Sequence, residues 1–297
     1  MLSNLTSTTS RKQESDYVLT LRCRDRPGIV YAVSKFLFEQ NLNIVESQQF
    51  DDHETGMFFM RVQVETVSGS EIDLEVLRER FLSVAEIFSM TWRLLALAEK
   101  QRVLILVSRA GHCLNDLLFR SANHALNIEI PMVISNHPDL RGLAESYGIP
   151  YRHIPVTPDT KLGAEAQLLE LVEELNIDLV VLARYMQVLS TDLCKRLEGQ
   201  AINIHHSILP SFKGGRPYHQ AHDRGVKLVG ATAHYVTEEL DEGPIIEQEV
   251  ARVDHSMSAE EVAMLGRDTE SLALARAVRW HTENRVMLNG IRTVVLH

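Results

Sequence analysis

The chain has 297 residues, 45% of them hydrophobic, with 40 acidic against 30 basic side chains and a formal net charge of -10. That length carries about two domains, and the negative balance would repel a phosphate backbone, so no nucleic-acid partner is expected. No run approaches the roughly 20 apolar residues of a membrane span, and the opening MLSNLTSTTSRKQESD lacks a signal-peptide core. With no such run, no membrane partner is expected, and Cys23, Cys113 and Cys194, too far apart for a CxxC motif and odd in number, point to the reducing cytoplasm.

Residues 1–15 read as a disordered tail, and residues 16–93 as a first domain. Tyr17 to Leu21 alternates as a strand, and Gly28 to Gln40 repeats apolar residues at Ile29, Val30, Val33, Phe36 and Leu37 as a helix does. Asn43 to Phe50 and Met57 to Glu65 form a strand pair around His53-Glu54-Thr55-Gly56, followed by a helix over Glu71 to Val84 and a last strand over Ile87 to Arg93. The order βαββαβ predicts a ferredoxin-like antiparallel sheet with both helices on one face. Asp25-Arg26-Pro27-Gly28 makes a tight entry to the first helix, whose free N–H groups favour a carboxylate; taken alone, it reads first as a well-formed strand-to-helix turn.

Residues 94–101 read as a linker, and the grammar then changes over residues 102–297. Val103 to Val107, Ile130 to Ile134 and Leu179 to Ala183 are unalternating apolar runs separated by helical patterns such as Leu162 to Leu175. Such runs predict a Rossmann-like α/β domain with a mostly parallel sheet, covered on both faces, that binds ligands at the carboxyl ends of its strands. Neither GxGxxG nor a Walker A pattern follows any of these strands, so a nucleotide cofactor has no support.

One strand end draws the chemistry together. In Ile202-Asn-Ile-His-His206 the period of two puts Asn203 and His205 on one face, just before the turn at Pro210. A later strand, Gly230 to Thr237, enters an acidic loop that carries Asp241 and ends at Gly243-Pro244. Amide, imidazole and carboxylate suit attack on a carbonyl: Asn203 as oxyanion donor, worth roughly 3–4 kcal/mol where such a donor is removed, His205 as acid or electrostatic stabiliser, and Asp241 orienting water or accepting a proton. Ser207 lacks a G-x-S-x-G elbow and Cys113 has no local base, so a protein nucleophile is not expected. His205, His206, Lys213, Arg216, His219, His222, Arg224, Lys227 and His234 fall in one basic window that suits a small anionic ligand. A competing metal reading uses His219 and His222 at i, i+3 together with His205, His206 or Asp241.

The DRPGIV run followed by Asn41-Leu42-Asn43-Ile44 resembles the start of an ACT domain. That resemblance implies a regulatory module that pairs through its sheet into a homo-oligomer and binds amino acids at the pair interface, with Asp25, Arg26, Gly28 and Asn41 as effector-binding residues. Asn203-Ile-His205, Ser207-Ile-Leu209-Pro210, Gln220-Ala221, Gly230, His234-Tyr-Val-Thr and Leu240-Asp241-Glu-Gly-Pro244 together resemble the formyltransferase fold of folate enzymes. That resemblance implies Asn203, His205 and Asp241 as catalytic residues and 10-formyltetrahydrofolate as substrate, with no cofactor and no metal. It places the folate against Met186, Val188, Leu189, His234, Thr237 and Glu238.

Transferases of this fold cradle their acceptor's phosphate in a Gly-rich turn, which here is Val107-Ser-Arg-Ala-Gly-His-Cys113 with a single glycine. His206 also stands where those transferases carry proline. Both departures favour water as acceptor: a hydrolase that releases formate for purine biosynthesis and balances one-carbon pools, with glycine and methionine as the first effectors to test. A formyltransferase acting on an amine such as glycinamide ribonucleotide, and a non-catalytic sensor, are the alternatives.

Overall fold

A computed structural model describes residues 16–67, 72–210 and 217–297; the expected N-terminal tail, Glu71, Lys213 and Arg216 lie outside the described residues. The chain divides into two compact units. One is the chain up to Lys100 with Glu283–Met287 and Val294–His297, and the other is Gln101–Thr282 with Leu288–Thr293.

In the first unit β1 (Asp16–Arg24) lies between β3 (Met57–Thr66) and β4 (Thr91–Ala96), and β2 (Leu42–Asp52) pairs with the far side of β3, all antiparallel. Alternate residues of β1, namely Tyr17, Leu19, Leu21 and Cys23, meet Ile29, Val33, Phe36 and Leu37 of α1 (Ile29–Glu39). They also meet Leu77, Phe81 and Ala85 of α2 (Leu74–Phe88). A strand of period two and a helix of period 3.6 share a core in this way.

Two boundaries differ from the sequence expectation. The α2 stripe of Leu77 and Phe81 continues through Ala85 and Phe88, so Ile87 is helical and the last strand begins at Thr91. Ser89, at φ 50, ends the helix in the left-handed region, and the N–H of Met90 returns to Ala85 O at 2.9 Å. β4 then runs to Ala96, so Leu94 is core rather than linker, in register with Leu19 and 2% exposed.

The opposite face of β3 is also covered. Phe59 packs with Val294, Leu296 and Met287, while Arg61, 1% exposed, donates to Glu46 Oε2 (2.9 Å) and Glu283 O (3.2 Å). Arg285 reaches the same Glu46 oxygen at 3.1 Å. Burial alone would lift the Glu46 carboxyl, but Arg285 and Arg61 hold it below its ordinary value. The sequence expectation places Glu283–Met287 and Val294–His297 in the 102–297 domain, whereas the structure groups them with the first unit.

The second unit has a seven-stranded sheet in the order β11-β10-β9-β8-β5-β6-β7. β9 (Ala201–His205), β8 (Leu179–Leu182), β5 (Gln101–Val107), β6 (Ile128–Ser135) and β7 (Tyr151–His153) are parallel. β10 (Leu228–Tyr235) and β11 (Ile245–Arg252) continue the sheet antiparallel. Leu104, Leu106, Val180 and Leu182 face Ala164, Leu168 and Leu171 of α5 (Lys161–Glu174), with α3 (His112–Ala122) and α4 (Arg141–Ser146) preceding that helix. Val103, Ile105, Leu179 and Val181 point the other way and are equally buried, which is why these strands do not alternate. The remaining helices are α6 (Thr191–Arg196), α7 (Pro217–Asp223) and α8 (Ala259–Thr282), and the chain closes with a hairpin of β12 (Val286–Asn289) and β13 (Arg292–Val295).

Candidate active site

The carboxyl ends of β5, β8 and β9 open on one edge of the sheet, where open α/β sheets place their ligands. At the end of β9 the pleat puts Asn203 and His205 on one face, and the register sets His234 of β10 directly opposite Asn203. His234 Nδ1 lies 2.9 Å from Tyr235 O, which can only accept, so that nitrogen carries the proton. Nε2 then accepts from Asn203 Nδ2 at 3.2 Å. This fixes the amide with its nitrogen toward His234 and uses one of its two N–H bonds.

Asp241 arrives from the loop after β10. The loop folds back because Gly243 lies flat against the strand end: a Cβ there would sit 1.8 Å from Tyr235 O. Tyr235 N donates to Pro244 O at 2.9 Å across the same fold. Asp241 itself sits at φ 60, a left-handed conformation that costs a non-glycine residue free energy and is found where function holds it. Its Oδ1 is 3.1 Å from His205 Nδ1 and 3.7 Å from His234 Nε2. Hydrogen bonding from His205 outweighs burial and holds the Asp241 carboxyl well below the usual range.

Asn203, His205 and Asp241 therefore meet, with His234 behind them. His234 was expected on the folate, but at 2% exposure it is a supporting group under Asn203 rather than a surface one. Met186 and Val188, 59% and 55% exposed, form an apolar shelf on the loop after β8, while Leu189 turns inward against the core. The shelf is anchored where Met186 N donates to Ser108 Oγ (2.9 Å), which in turn donates to Asn136 Oδ1 (2.7 Å). The cavity beneath it, about 20 Å³ and lined by Tyr185, Val188 and Leu189, has room for a water and not for a heterocycle. Thr237 Oγ1 donates to Glu239 O, and Glu238 pairs with Lys195 at 3.5 Å, so both lie on the rim with partners of their own.

The four expected effector residues do not come together within one unit. Gly28, at φ 98, begins α1, and Asn41, at φ 54, follows its end. Eleven residues of helix set them about 16 Å apart. Arg26 is engaged as well: its guanidinium lies 4.5 Å from the Phe88 ring centroid and donates to Ile87 O at the end of α2.

The metal reading built on His219 and His222 finds no cluster. His222 is turned outward beside Asp223 at 3.4 Å, and among the described residues the one group spaced for a metal is His112, Cys113 and Glu270. There Glu270, 1% exposed, is already satisfied: Oε2 meets His112 Nε2 (2.7 Å) and Arg184 Nε (3.3 Å), and Oε1 accepts from Tyr218 Oη (2.7 Å). Burial, then the Glu270 charge, pushes the Cys113 thiol well up, which opposes a thiolate ligand. Gly266 admits the Tyr218 ring, since a Cβ would lie 2.2 Å from it. Arg184 holds φ 65. Sequence reasoning missed this buried group because its members are scattered over four elements. One signal was available: Glu270 shares a helical face with Ala273, Leu274 and Ala277, an isolated acid on an apolar stripe.

The fold is that of a formyltransferase-type catalytic domain preceded by an ACT domain. The family model described as "Formyl transferase" matches residues 101–278, and the one described as "ACT domain" matches residues 17–84. Formyltetrahydrofolate deformylase of Corynebacterium sp. (strain P-1) is 55% identical over 280 residues, spanning 94% of this chain and 98% of that protein. The crystal structure of formyltetrahydrofolate deformylase from Burkholderia mallei matches with a TM-score of 0.91 at 49% identity, covering 95% of this chain and 100% of that one. Glycinamide ribonucleotide transformylase 1 from Symbiobacterium toebii matches less of it, with a TM-score of 0.62 at 30% identity over 67% of this chain and 95% of that one. The chain belongs to the formyltetrahydrofolate deformylase family.

Proposed function

We propose that this hydrolase cleaves 10-formyltetrahydrofolate to formate and tetrahydrofolate at Asn203, His205 and Asp241, in the cytoplasm and without a metal or other cofactor. The observation that carries the reading is the Asp241 carboxylate 3.1 Å from His205 Nδ1, with the Asn203 amide held beside them. Water adds to the formyl carbon, and the second N–H of Asn203 together with a cationic His205 stabilises the oxyanion. Asp241 holds the His205 ring through Nδ1, and His205 then delivers a proton to the departing folate nitrogen. Met186 and Val188 carry the flat heterocycle, and Thr237 and Glu238 border it.

Water is read as the acceptor because the turn after β5, where a transferase would cradle a phosphate, carries a single glycine and the His112 side chain bound to Glu270. The test is tetrahydrofolate formation followed with and without glycinamide ribonucleotide. Turnover that requires the amine would make the protein a transferase, and binding without turnover would make it a sensor.

The N-terminal unit is read as the regulator, binding an amino acid such as glycine or methionine. Because Gly28 and Asn41 lie at opposite ends of α1, a shared ligand site would need two copies of this unit, which supports a homo-oligomer paired through ACT domains. An effector that changes turnover in the intact enzyme should lose its effect in Asn41→Leu with basal turnover unchanged. A response unaltered by that change places the effector elsewhere.

A further inference from the structure

His206 follows the catalytic histidine and is held in an unusual way. Its ring centroid lies 5.0 Å from that of His205, the planes inclined by 37°, and it is only partly exposed. No hydrogen bond to either of its ring nitrogens is present among the described residues, although charged groups face it from each element around it. His205 precedes it on β9, Arg184 follows β8, Glu270 projects from α8 and Asp241 comes from the loop after β10. Burial first, then the charges of Arg184 and His205, hold the imidazole neutral, its pKa pushed down to about 4. Arg184 is itself kept close at a cost: it stands at φ 65 and buries Nε and Nη1 without a hydrogen bond, with only the ion pair to Glu270 at 3.3 Å. By contrast, Asp241 already has His205 and His234 against its carboxylate, which makes it a poor base for a third group.

We propose that His206 is a further catalytic residue, its uncommitted ring nitrogen holding the attacking water at the formyl carbon and taking the proton that water releases. The proposal rests on the deformylase reading above. As the water oxygen forms the C–O bond, one water O–H bond breaks toward His206 and the carbonyl π pair moves to the oxygen held by Asn203 and His205. When the carbonyl re-forms, the C–N bond breaks and the nitrogen takes its electron pair and the proton delivered by His205. His206 returns its proton to solvent, and the second product leaves as formate. Arg184, held by its ion pair to Glu270, acts at one remove, keeping a neutral acceptor beside a cationic His205. Arg184 is thus a positioning residue.

The experiment compares the wild-type enzyme with His206→Ala, His206→Asn and Arg184→Gln, at a temperature where thermal melts show each variant folded. Formate release by the wild type tests the deformylase reading; if it fails there, that reading falls before the role of His206 is reached. Given wild-type turnover, both His206 variants should lose about 100-fold in kcat with folate binding kept within a few-fold. Added imidazole should restore part of the His206→Ala activity in proportion to its free-base concentration. Arg184→Gln should move the acid limb of the kcat/KM profile to higher pH, because the base then protonates more readily. Variants of His206 that keep near-normal kcat, or that lose folate binding and turnover together without imidazole rescue, would overturn the proposal.

Discussion

Asp241 with His205 and Glu270 with His112 are both carboxylate–imidazole pairs of the second unit, and they differ in burial and in the element that carries them. Asp241 sits on a loop, in a left-handed backbone conformation, partly exposed, and meets His205 at 3.1 Å. Glu270 sits in the middle of α8, 1% exposed, with both oxygens engaged by His112, Tyr218 and Arg184. A carboxylate on a loop can rearrange with substrate. One locked in a helix can only fix the charge of its surroundings.

The comparison is tested most severely at Asp241. Asp241→Asn keeps the size but cannot support a cationic His205, and should lower kcat by about 10³-fold while leaving folate binding within a few-fold. Single-turnover kinetics beside a binding titration check this, and near-normal turnover would remove Asp241 from the chemistry. Glu270→Ala should act in the opposite manner, through the fold: it strands the Arg184 guanidinium, and breaking such a buried pair costs about 3–5 kcal/mol. Denaturant midpoints measure that loss, and an unchanged midpoint would show that Glu270 does not hold the cluster.

A smaller effect is expected at Gly266→Ala, where the added methyl meets the Tyr218 ring at 2.2 Å. Overpacking of this kind costs about 1–3 kcal/mol, read as a lower Tm, and adding Tyr218→Phe should not recover it because the ring remains.

Acid should then separate the two pairs from the histidine between them. His206 has its pKa lowered in the folded state, so between its unfolded value of 6.5 and about 4 the unfolded chain binds the extra proton. Stability is therefore lost as the pH is lowered through that window, by up to about 1.4 kcal/mol per unit. Asp241 and Glu270 also have lowered values, so their contributions are present above the unfolded carboxyl range and are lost only at lower pH. Chemical denaturation at a series of pH values should show the first loss vanish in His206→Asn and the second persist. Least of all should change on exhaustive chelation or in His219→Gln with His222→Gln, since no step is given to a metal. Loss of activity on chelation, restored by zinc, would reverse that.

Some regions were legible because a short-range pattern dictates them. The alternation of Tyr17 to Leu21 and the helical stripe from Ile29 to Leu37 specify a sheet with helices on one face, and the unbroken apolar runs of β5 and β8 specify a parallel sheet covered on both. Asn203 and His205 share a face by the strand period alone, and Asp241 is singled out by its acidic loop ending at Gly243-Pro244, which the fold brings to 3.1 Å from His205. Limits of elements were harder: α2 runs on to Phe88 because its stripe finds a core, which propensity at Ile87 does not reveal.

Partnership across elements was set by tertiary structure alone. Nothing local says that His234 lies under Asn203, that Glu46 collects Arg61 and Arg285, or that Val294 and Leu296 cover Phe59. Nor could spacing show that Glu270, His112, Arg184 and Tyr218 form one buried group. The physical reason is the same in each case. Periodicity tells which way a side chain points from its own element, whereas the free energy of a buried charge depends on what the other elements bring to meet it.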